Sequence, residues 1–134
     1  MKRLMIPLCI LVLFLGSCTS EPPDTPQPEP YFPVQKEVPK TFLLALLPGR
    51  LVIDDAGYLR VNDTLVIWPH GYSLKIDGND IWVIDDTGQA CAKVGDWVKI
   101  GGGVIPGYVV EEKIGQPLPS GCEGPYWLAG GMSE

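Results

Sequence analysis

Four residues of one short segment have side chains that could act on a substrate or hold a ligand: Trp68, His70, Tyr72 and Ser73. A histidine that works as a general base needs a nucleophile within hydrogen-bond reach and an acid that orients its ring. Ser73 is the nearest hydroxyl, but no spacing in this segment indicates that it pairs with His70, the single histidine of the chain. We therefore predict contact rather than catalysis, with Trp68, His70 and Tyr72 touching a sugar or a peptide. The alternative is that the aromatic rings belong to the core.

Three pairs of acidic residues could supply the oxygen ligands that calcium prefers: Asp54–Asp55, Asp77 with Asp80, and Asp85–Asp86. None of them fits the twelve-residue loop that has Gly at its sixth position and Glu at its twelfth. Each pair lies beside a glycine, and an aspartate in a turn can accept the backbone N–H group two residues further on. We interpret all three pairs as turns, and we predict no metal and no other cofactor.

The composition excludes further classes of function. The chain has 134 residues, enough for one modest domain, and its 16 acidic and 10 basic residues give a net charge of -6. An acidic protein repels a phosphate backbone, so we predict no nucleic-acid partner. The sequence contains no Gly-x-Ser-x-Gly, P-loop or Gly-x-Gly-x-x-Gly motif. Together with the incomplete histidine site, this predicts a protein that is not an enzyme.

The first eighteen residues predict export. Met1-Lys2-Arg3 is followed by an apolar run from Leu4 to Leu15, which is too short to span a bilayer and is typical of a signal peptide. The sequence Leu-Gly-Ser-Cys that ends at Cys18 resembles the lipobox of bacterial lipoproteins. The resemblance implies that residues 1–17 are removed and that Cys18 receives diacylglycerol and an N-acyl chain such as palmitate. The alternative is an ordinary signal peptide that is cut near Ser17 or Ser20.

An acylated Cys18 would anchor the mature chain to membrane lipid, facing outside the cytoplasm. In a single-membrane bacterium this location is the outer face of the plasma membrane. In a double-membraned one, the presence of Thr19 instead of Asp after the acylated residue favours the outer membrane.

Residues 18–40 predict a proline-rich tether. Half of the chain's 14 prolines lie here, at positions 22, 23, 26, 28, 30, 33 and 39. Proline fixes φ and lacks an N–H group, so we expect an extended or disordered linker of at most about 70 Å. Its end, Tyr31-Phe32-Pro33, could pack back onto the domain, which we predict to comprise residues 41–134.

Two cysteines remain for the exported domain, Cys91 and Cys122, since Cys9 lies in the leader and Cys18 is the acylation site. An oxidising compartment favours one disulfide between them, and we predict this bond. The alternative is a pair of free thiols in a domain that is stable without the bond. A redox-active pair is disfavoured, because the chain has no Cys-x-x-Cys motif.

The domain is predicted to consist of a series of short strands. Its β-branched and aromatic runs are interrupted by Gly and Asp at strand-sized intervals, and no stretch shows sustained helical spacing. Thr41–Leu47 suits a helical turn equally well. The predicted strands are Thr41–Leu47, Arg50–Asp54, Tyr58–Val61, Leu65–Trp68, Tyr72–Ile76, Ile81–Asp85, Ala90–Val94, Trp97–Ile100, Tyr108–Glu112 and Tyr126–Leu128.

The turns between these strands predict an all-β fold, a small antiparallel meander closed into an OB-like barrel. Leu51–Gly57 and Trp82–Gly88 are similar segments that both end in Asp-Asp-x-Gly, as in a hairpin turn. Val94–Gly103 resembles the Gly-Asp corner of OB-like barrels, in which the following glycines let a strand bend. Closing the meander would remove its exposed edges.

Three segments give the chain a wider resemblance to a group of small bacterial lipoproteins that has no established activity: Leu65–Pro69, Gly101–Gly103 and Gly124–Leu128. Taken together, the sequence predicts a membrane-anchored extracytoplasmic lipoprotein that serves as a non-catalytic binding or envelope-associated module. Its partner would be a cell-wall polymer, a small ligand or an envelope protein. The alternative is a structural accessory subunit of an envelope complex, with a small enzyme as the least favoured class.

Overall fold

Nine elements make up the structure, a computed structural model that describes residues 28–132. Seven of these elements are strands that the sequence predicts, and the other two differ from the prediction as described below. In chain order they are β1 (Ala45–Ile53), β2 (Leu59–Val61), β3 (Thr64–Ile67), β4 (Ser73–Asp77), β5 (Asp80–Ile84), β6 (Ala90–Lys93), β7 (Trp97–Ile105), α1 (Gly107–Ile114) and β8 (Tyr126–Met132).

Five of the strands close into a barrel in the order β1-β2-β3-β8-β7. Neighbouring strands are antiparallel except β3 and β8, which run parallel with Leu65 opposite Tyr126 and Ile67 opposite Leu128. A five-stranded barrel closed by a parallel pair between its third and last strands is OB-like, so the predicted fold class is confirmed. The parallel pair itself was not predicted, because turn signals specify only strands that are neighbours in sequence.

The other three strands form a separate antiparallel sheet in the order β4-β5-β6, inserted between β3 and β7 of the barrel. The two-residue turn Gly78-Asn79 joins β4 to β5, with Asp77 opposite Asp80, as the sequence predicts. Val83 of β5 and Ala92 of β6 are buried in the same core cluster as the barrel residues. The inserted sheet therefore packs on the barrel and extends its core.

The two similar Asp-Asp-x-Gly segments form similar turns. In each, Oδ1 of the first aspartate, Asp54 or Asp85, accepts backbone N–H groups two and four residues further on, at 2.8–3.0 Å. The glycines Gly57 and Gly88 have φ values of 85° and 86°, which other residues rarely adopt. The turn interpretation of these acidic pairs is thus confirmed.

One predicted strand is wrong: Tyr108–Glu112 lies in α1, not in a strand. The β-branched Val109 and Val110 favour a strand locally, but Pro106 precedes the helix as its N-cap and Gly115 ends it in the left-handed conformation. The N–H group of Gly115 donates to the carbonyl of Glu111. Proline before a segment and glycine after it are helix boundary signals. The helix also buries Val110 against the barrel, and together these effects outweigh the strand propensity of the valines.

A second difference concerns β1, which joins the two predicted strands Thr41–Leu47 and Arg50–Asp54 into one. The intervening Pro48 and Gly49 interrupt the strand pattern in the sequence. In the structure β1 nevertheless pairs with β7 continuously from Ala45 to Arg50. Pairing with a neighbouring strand therefore decides where β1 begins and ends.

Alternate residues of β3 point into two hydrophobic clusters on opposite faces of the barrel wall. Val66 and Trp68 belong to the cluster inside the barrel, which also holds Leu51, Ile100 and Trp127. The neighbouring residues 65 and 67 belong to a second cluster outside the wall, which α1 and the loop after it cover. The wall of the barrel is thus apolar on both faces at this strand.

The folded body begins earlier than the predicted boundary at residue 41. We call residues 30–36 the N-terminal strap. Tyr31 forms a parallel bridge with Tyr58, and Val34 forms one with Trp68. The backbone N–H group of Lys36 donates to a carbonyl of α1. The strap therefore packs on the domain, as the apolar end of the predicted tether suggests.

The predicted leader, Cys18 and residues 19–27 of the tether lie outside the described residues. Between residues 28 and 132 no helix is both long and apolar enough to cross a membrane.

The glycine run of β7 lets its backbone lie close against the backbone of β8. A Cβ atom at Gly102 would lie 2.0 Å from the carbonyl oxygen of Leu128, and the φ of Gly102 is 150°. Gly102→Ala should lower the free energy of unfolding by about 3 kcal/mol, because it combines backbone strain with a clash against backbone of β8. The measurement is urea unfolding of residues 18–134 carrying Cys18→Ser.

The matched control is Gly101→Ala, whose new Cβ would meet only the carbonyl oxygen of Gly131 at 3.6 Å, an ordinary contact. Its free energy of unfolding should stay close to that of the parent protein. Equal losses for the two variants would contradict the close approach of β7 and β8.

Candidate functional site

The three predicted contact residues lie close together, but they are not equally accessible. Trp68 is fully buried and its ring stacks between Phe32, at 5.1 Å, and Tyr72, at 6.4 Å between ring centroids. His70 is exposed, and its Nδ1 lies 3.1 Å from the carbonyl oxygen of Gln35. A ligand could reach His70 and the edge of Tyr72, whereas Trp68 packs the core and holds the strap through Phe32.

The predicted disulfide is not present. Cys91 and Cys122 are free thiols in the described part of the chain. Cys91 packs at the margin of the cluster inside the barrel, where its Sγ lies 3.4 Å from the carbonyl oxygen of Val83. Cys122 is buried in the cluster outside the wall. Strand β3 separates these two clusters, so the fold itself keeps the thiols apart, a fact that spacing along the chain does not reveal.

Both thiols should therefore be countable and slow to react. Burial raises the pKa of each, which lowers the fraction of reactive thiolate at neutral pH. Residues 18–134 with Cys18→Ser should titrate two thiols with an aromatic disulfide reagent in denaturant without reductant, and far more slowly when native. A count of zero in denaturant would show that the two cysteines pair in the exported protein.

A buried arginine that the sequence did not single out ties three loops together. Arg60 of β2 is 9% exposed, and its Nε donates to Asp54 Oδ2 at 2.7 Å. Its two terminal nitrogens donate at 2.9 Å to the carbonyl oxygens of Asp63 and Glu123. A guanidinium group presents donors in a fixed fork, so one side chain can bridge several partners. These contacts join the β1–β2 turn, the β2–β3 turn and the loop before β8.

The charge of Asp54 depends on this arrangement. Its partial burial raises the pKa of the carboxyl, but hydrogen bonds from the Tyr58 N–H group, from Arg60 and from the Ala56 N–H group outweigh burial. The pKa of Asp54 therefore lies below the ordinary aspartate value. A carboxyl with a depressed pKa in the folded state stabilises the protein above its unfolded pKa, and the contribution is lost as the pH falls through the folded pKa.

Asp54→Asn should accordingly lower the unfolding midpoint near neutral pH. Its difference from the parent protein should shrink progressively as the pH falls below about 4. The measurement is the thermal unfolding midpoint of variant and parent between pH 7 and pH 2.5. The neighbouring exposed Asp55→Asn is the control, and its midpoint should follow the parent's at every pH. A constant difference between Asp54→Asn and the parent across this range would contradict an ionic role for Asp54.

The surface that OB barrels ordinarily use for binding is covered in this protein. Such barrels bind oligonucleotides and oligosaccharides on the outer face of their second and third strands, beside two flanking loops. Here that face carries Arg60, Leu65 and Ile67, and all three side chains are buried. Tyr31 of the strap, α1 and Leu118 in the loop after α1 pack against Leu65 and Ile67. This arrangement argues against a polysaccharide bound in the usual OB manner.

An open groove of about 790 Å³ lies where the strap enters the domain. Its walls combine aromatic side chains, Tyr31 and Tyr58, with the carboxylates of Glu29 and Asp55. The groove is acidic and shallow, and it includes neither Trp68 nor His70 among its lining residues. The sequence prediction and this groove thus concern adjacent but different surfaces.

A group of large exposed apolar side chains lies elsewhere, on the outer side of β1 and β7 and in the segment before β1. Leu46 is 56% exposed and Trp97 is 61% exposed, and in the segment leading into β1 Phe42 and Leu44 are 60% and 93% exposed. Leu46 pairs with Gly101, so the surface beside it is backbone rather than side chain. A shallow depression of about 260 Å³ extends from Phe42 across Gly101 to Met132. The surface is broad and flat.

The same surface carries no negative charge. None of the 16 Asp and Glu residues of the chain lies in residues 38–53, in β7 or in β8. The charges present are positive: Arg50 lies opposite Trp97, and Lys99 lies opposite Pro48. We call this surface the acid-free face and define it by Phe42, Leu44, Leu46, Trp97 and these two cations. Sequence reasoning missed it because the apolar run from residue 41 to 47 looks like a core strand.

No protein-family model matches the chain, and comparison with curated proteins and with solved structures found no match either. Within the range that the structure covers, no group of three or more His, Cys, Asp or Glu side chains is placed to hold a metal ion. Its exposed apolar side chains and cations make the acid-free face the candidate site of this protein, and the acidic groove is a separate, concave surface.

Proposed function

We propose that this protein is an extracytoplasmic lipoprotein, acylated at Cys18, whose OB-like domain is a non-catalytic, envelope-associated module that works by surface contact. The observation that carries the proposal is the acid-free face, a flat apolar and cationic surface on a domain whose net charge is acidic. Contiguous exposed apolar surface of this kind is typical of sites that contact a macromolecule or a membrane. An enzyme or a small-molecule site would instead need a concave pocket with convergent polar groups.

The position of the strap supports the anchored arrangement. The described chain starts at Pro28, only ten residues after Cys18. An extended chain covers about 3.1 Å per residue, so the domain would stay within about 30 Å of an acylated Cys18. The module would thus work close to the membrane surface, not at the end of a long stalk.

A second candidate function is an accessory subunit of an envelope complex. The flatness of the acid-free face favours this role over binding of a small ligand, because protein partners cover broad surfaces. The acidic groove beside the strap would then remain free for a cationic segment, since Glu29 and Asp55 line it.

Acylation at Cys18 is directly testable in the bacterium that makes the protein. Labelled fatty acid should be incorporated into the wild-type chain, and Cys18→Ala should abolish the incorporation, because no other residue would accept the lipid. Cys9→Ala is the matched control, because it removes a cysteine of the leader and should leave incorporation unchanged. Labelling that persists in Cys18→Ala, or recovery of the wild-type chain from cytosol with its leader attached, would refute the anchored lipoprotein.

A further inference from the structure

The acid-free face combines two properties that a bilayer surface recognises. Its apolar side chains, Leu44, Leu46 and Trp97, are more than half exposed to water. Its cations, Arg50 and Lys99, lie on the same outer side, because residues opposite each other in paired strands point to the same face of the sheet. Apolar side chains enter the acyl boundary, and basic residues are attracted to anionic headgroups.

The distribution of charge distinguishes this face from the rest of the molecule. The acidic residues of the described chain lie in the turns, the inserted sheet, the positions on either side of the strap (Glu29 and Glu37) and the region from α1 to the loop before β8. An anionic membrane would repel those acidic surfaces and attract the face formed by β1 and β7, whose charges are all positive. Charge alone therefore sets a single favoured orientation of the domain on an anionic bilayer.

The chain outside the structure permits this orientation. Ten residues separate Cys18 from Pro28 and reach about 30 Å at most. Strand β1, nine residues long, extends for about the same distance along the domain. An anchor of this length holds the domain beside the bilayer yet leaves it able to turn its outer β1–β7 side toward the lipid.

We propose that the acid-free face docks onto the surface of an anionic lipid bilayer, with Leu44, Leu46 and Trp97 at the acyl boundary and Arg50 and Lys99 against the headgroups. This inference rests on the proposed acylation of Cys18, which brings the face to the membrane. Docking would fix the orientation of the module on the lipid.

Tryptophan quenching tests the contact directly. The acylated protein is reconstituted in phosphatidylcholine–phosphatidylglycerol vesicles whose lipids carry brominated acyl chains, which quench nearby indoles. The bromolipids should quench part of the tryptophan emission, and Trp97→Phe should remove the quenchable part because Trp97 is on the docked face. Trp82→Phe is the matched control: Trp82 lies in the inserted sheet, partly buried under Lys93, and its replacement should leave the quenching in place.

Substitutions on the face test which forces hold it. Leu44→Glu should abolish the quenching without releasing the anchored protein from vesicles. For residues 18–134 with Cys18→Ser, Lys99→Gln should weaken binding to anionic vesicles about fivefold. Lys75→Gln, an exposed lysine of β4 in the inserted sheet, should bind as the parent does. Tyr108→Glu, an exposed aromatic of α1, is the corresponding control for Leu44→Glu.

The outcomes separate this inference from the lipid anchor. Protein that floats with vesicles but shows no bromolipid quenching of Trp97 would refute docking and leave the anchor intact. A protein that is not acylated would refute the anchor, and binding of residues 18–134 to added vesicles would still support docking. If wild type is instead a dimer that Leu44→Glu dissociates, with Trp97 unquenched by lipid, the face binds a second copy and docking is refuted.

Discussion

The barrel depends on how its parallel seam between β3 and β8 is completed. Pairing of the two strands ends at Ile67 and Leu128. Directly after β3, Trp68 forms a parallel bridge with Val34 of the strap. The buried side chain of Gln35 donates its amide to the carbonyl oxygen of Ala129 at 2.8 Å. A buried carbonyl without a partner is costly, so the strap supplies the hydrogen bonds that the seam lacks. Residues that the sequence assigns to the tether thus complete the seam of the barrel.

The same contacts fix where the chain enters the domain. The strap is hydrogen-bonded to the β1–β2 turn, to Trp68 just after β3 and to α1. The chain therefore enters at a defined edge of the domain, beside the acidic groove. In the anchored lipoprotein that we propose, such an attachment would restrict which surfaces can face the lipid and would favour one orientation of the module over free tumbling.

Covering the usual OB binding face has a related consequence. The strap, α1 and the loop before β8 cover Leu65 and Ile67, and Arg60 holds that loop in place through the carbonyl oxygen of Glu123. The chain thereby fills the surface where other OB barrels place a ligand. The outer side of β1 and β7 stays exposed instead, and for this reason we propose that the protein works by contact through the acid-free face.

The sequence by itself determined the features that depend on local interactions. The aspartate turns at Asp54 and Asp85 and the all-β class follow from contacts between residues a few positions apart, so a reader of the sequence can find them. The region between Pro106 and Gly115 carried helix boundary signals as well, although its valines suggested a strand. Only the tertiary structure decided that β3 pairs with β8, that the strap belongs to the barrel, that Trp68 is core, and that Cys91 and Cys122 lie on opposite sides of a wall. These features arise from pairings between distant segments, and nothing in the local pattern specifies which distant segment a strand or a thiol will meet.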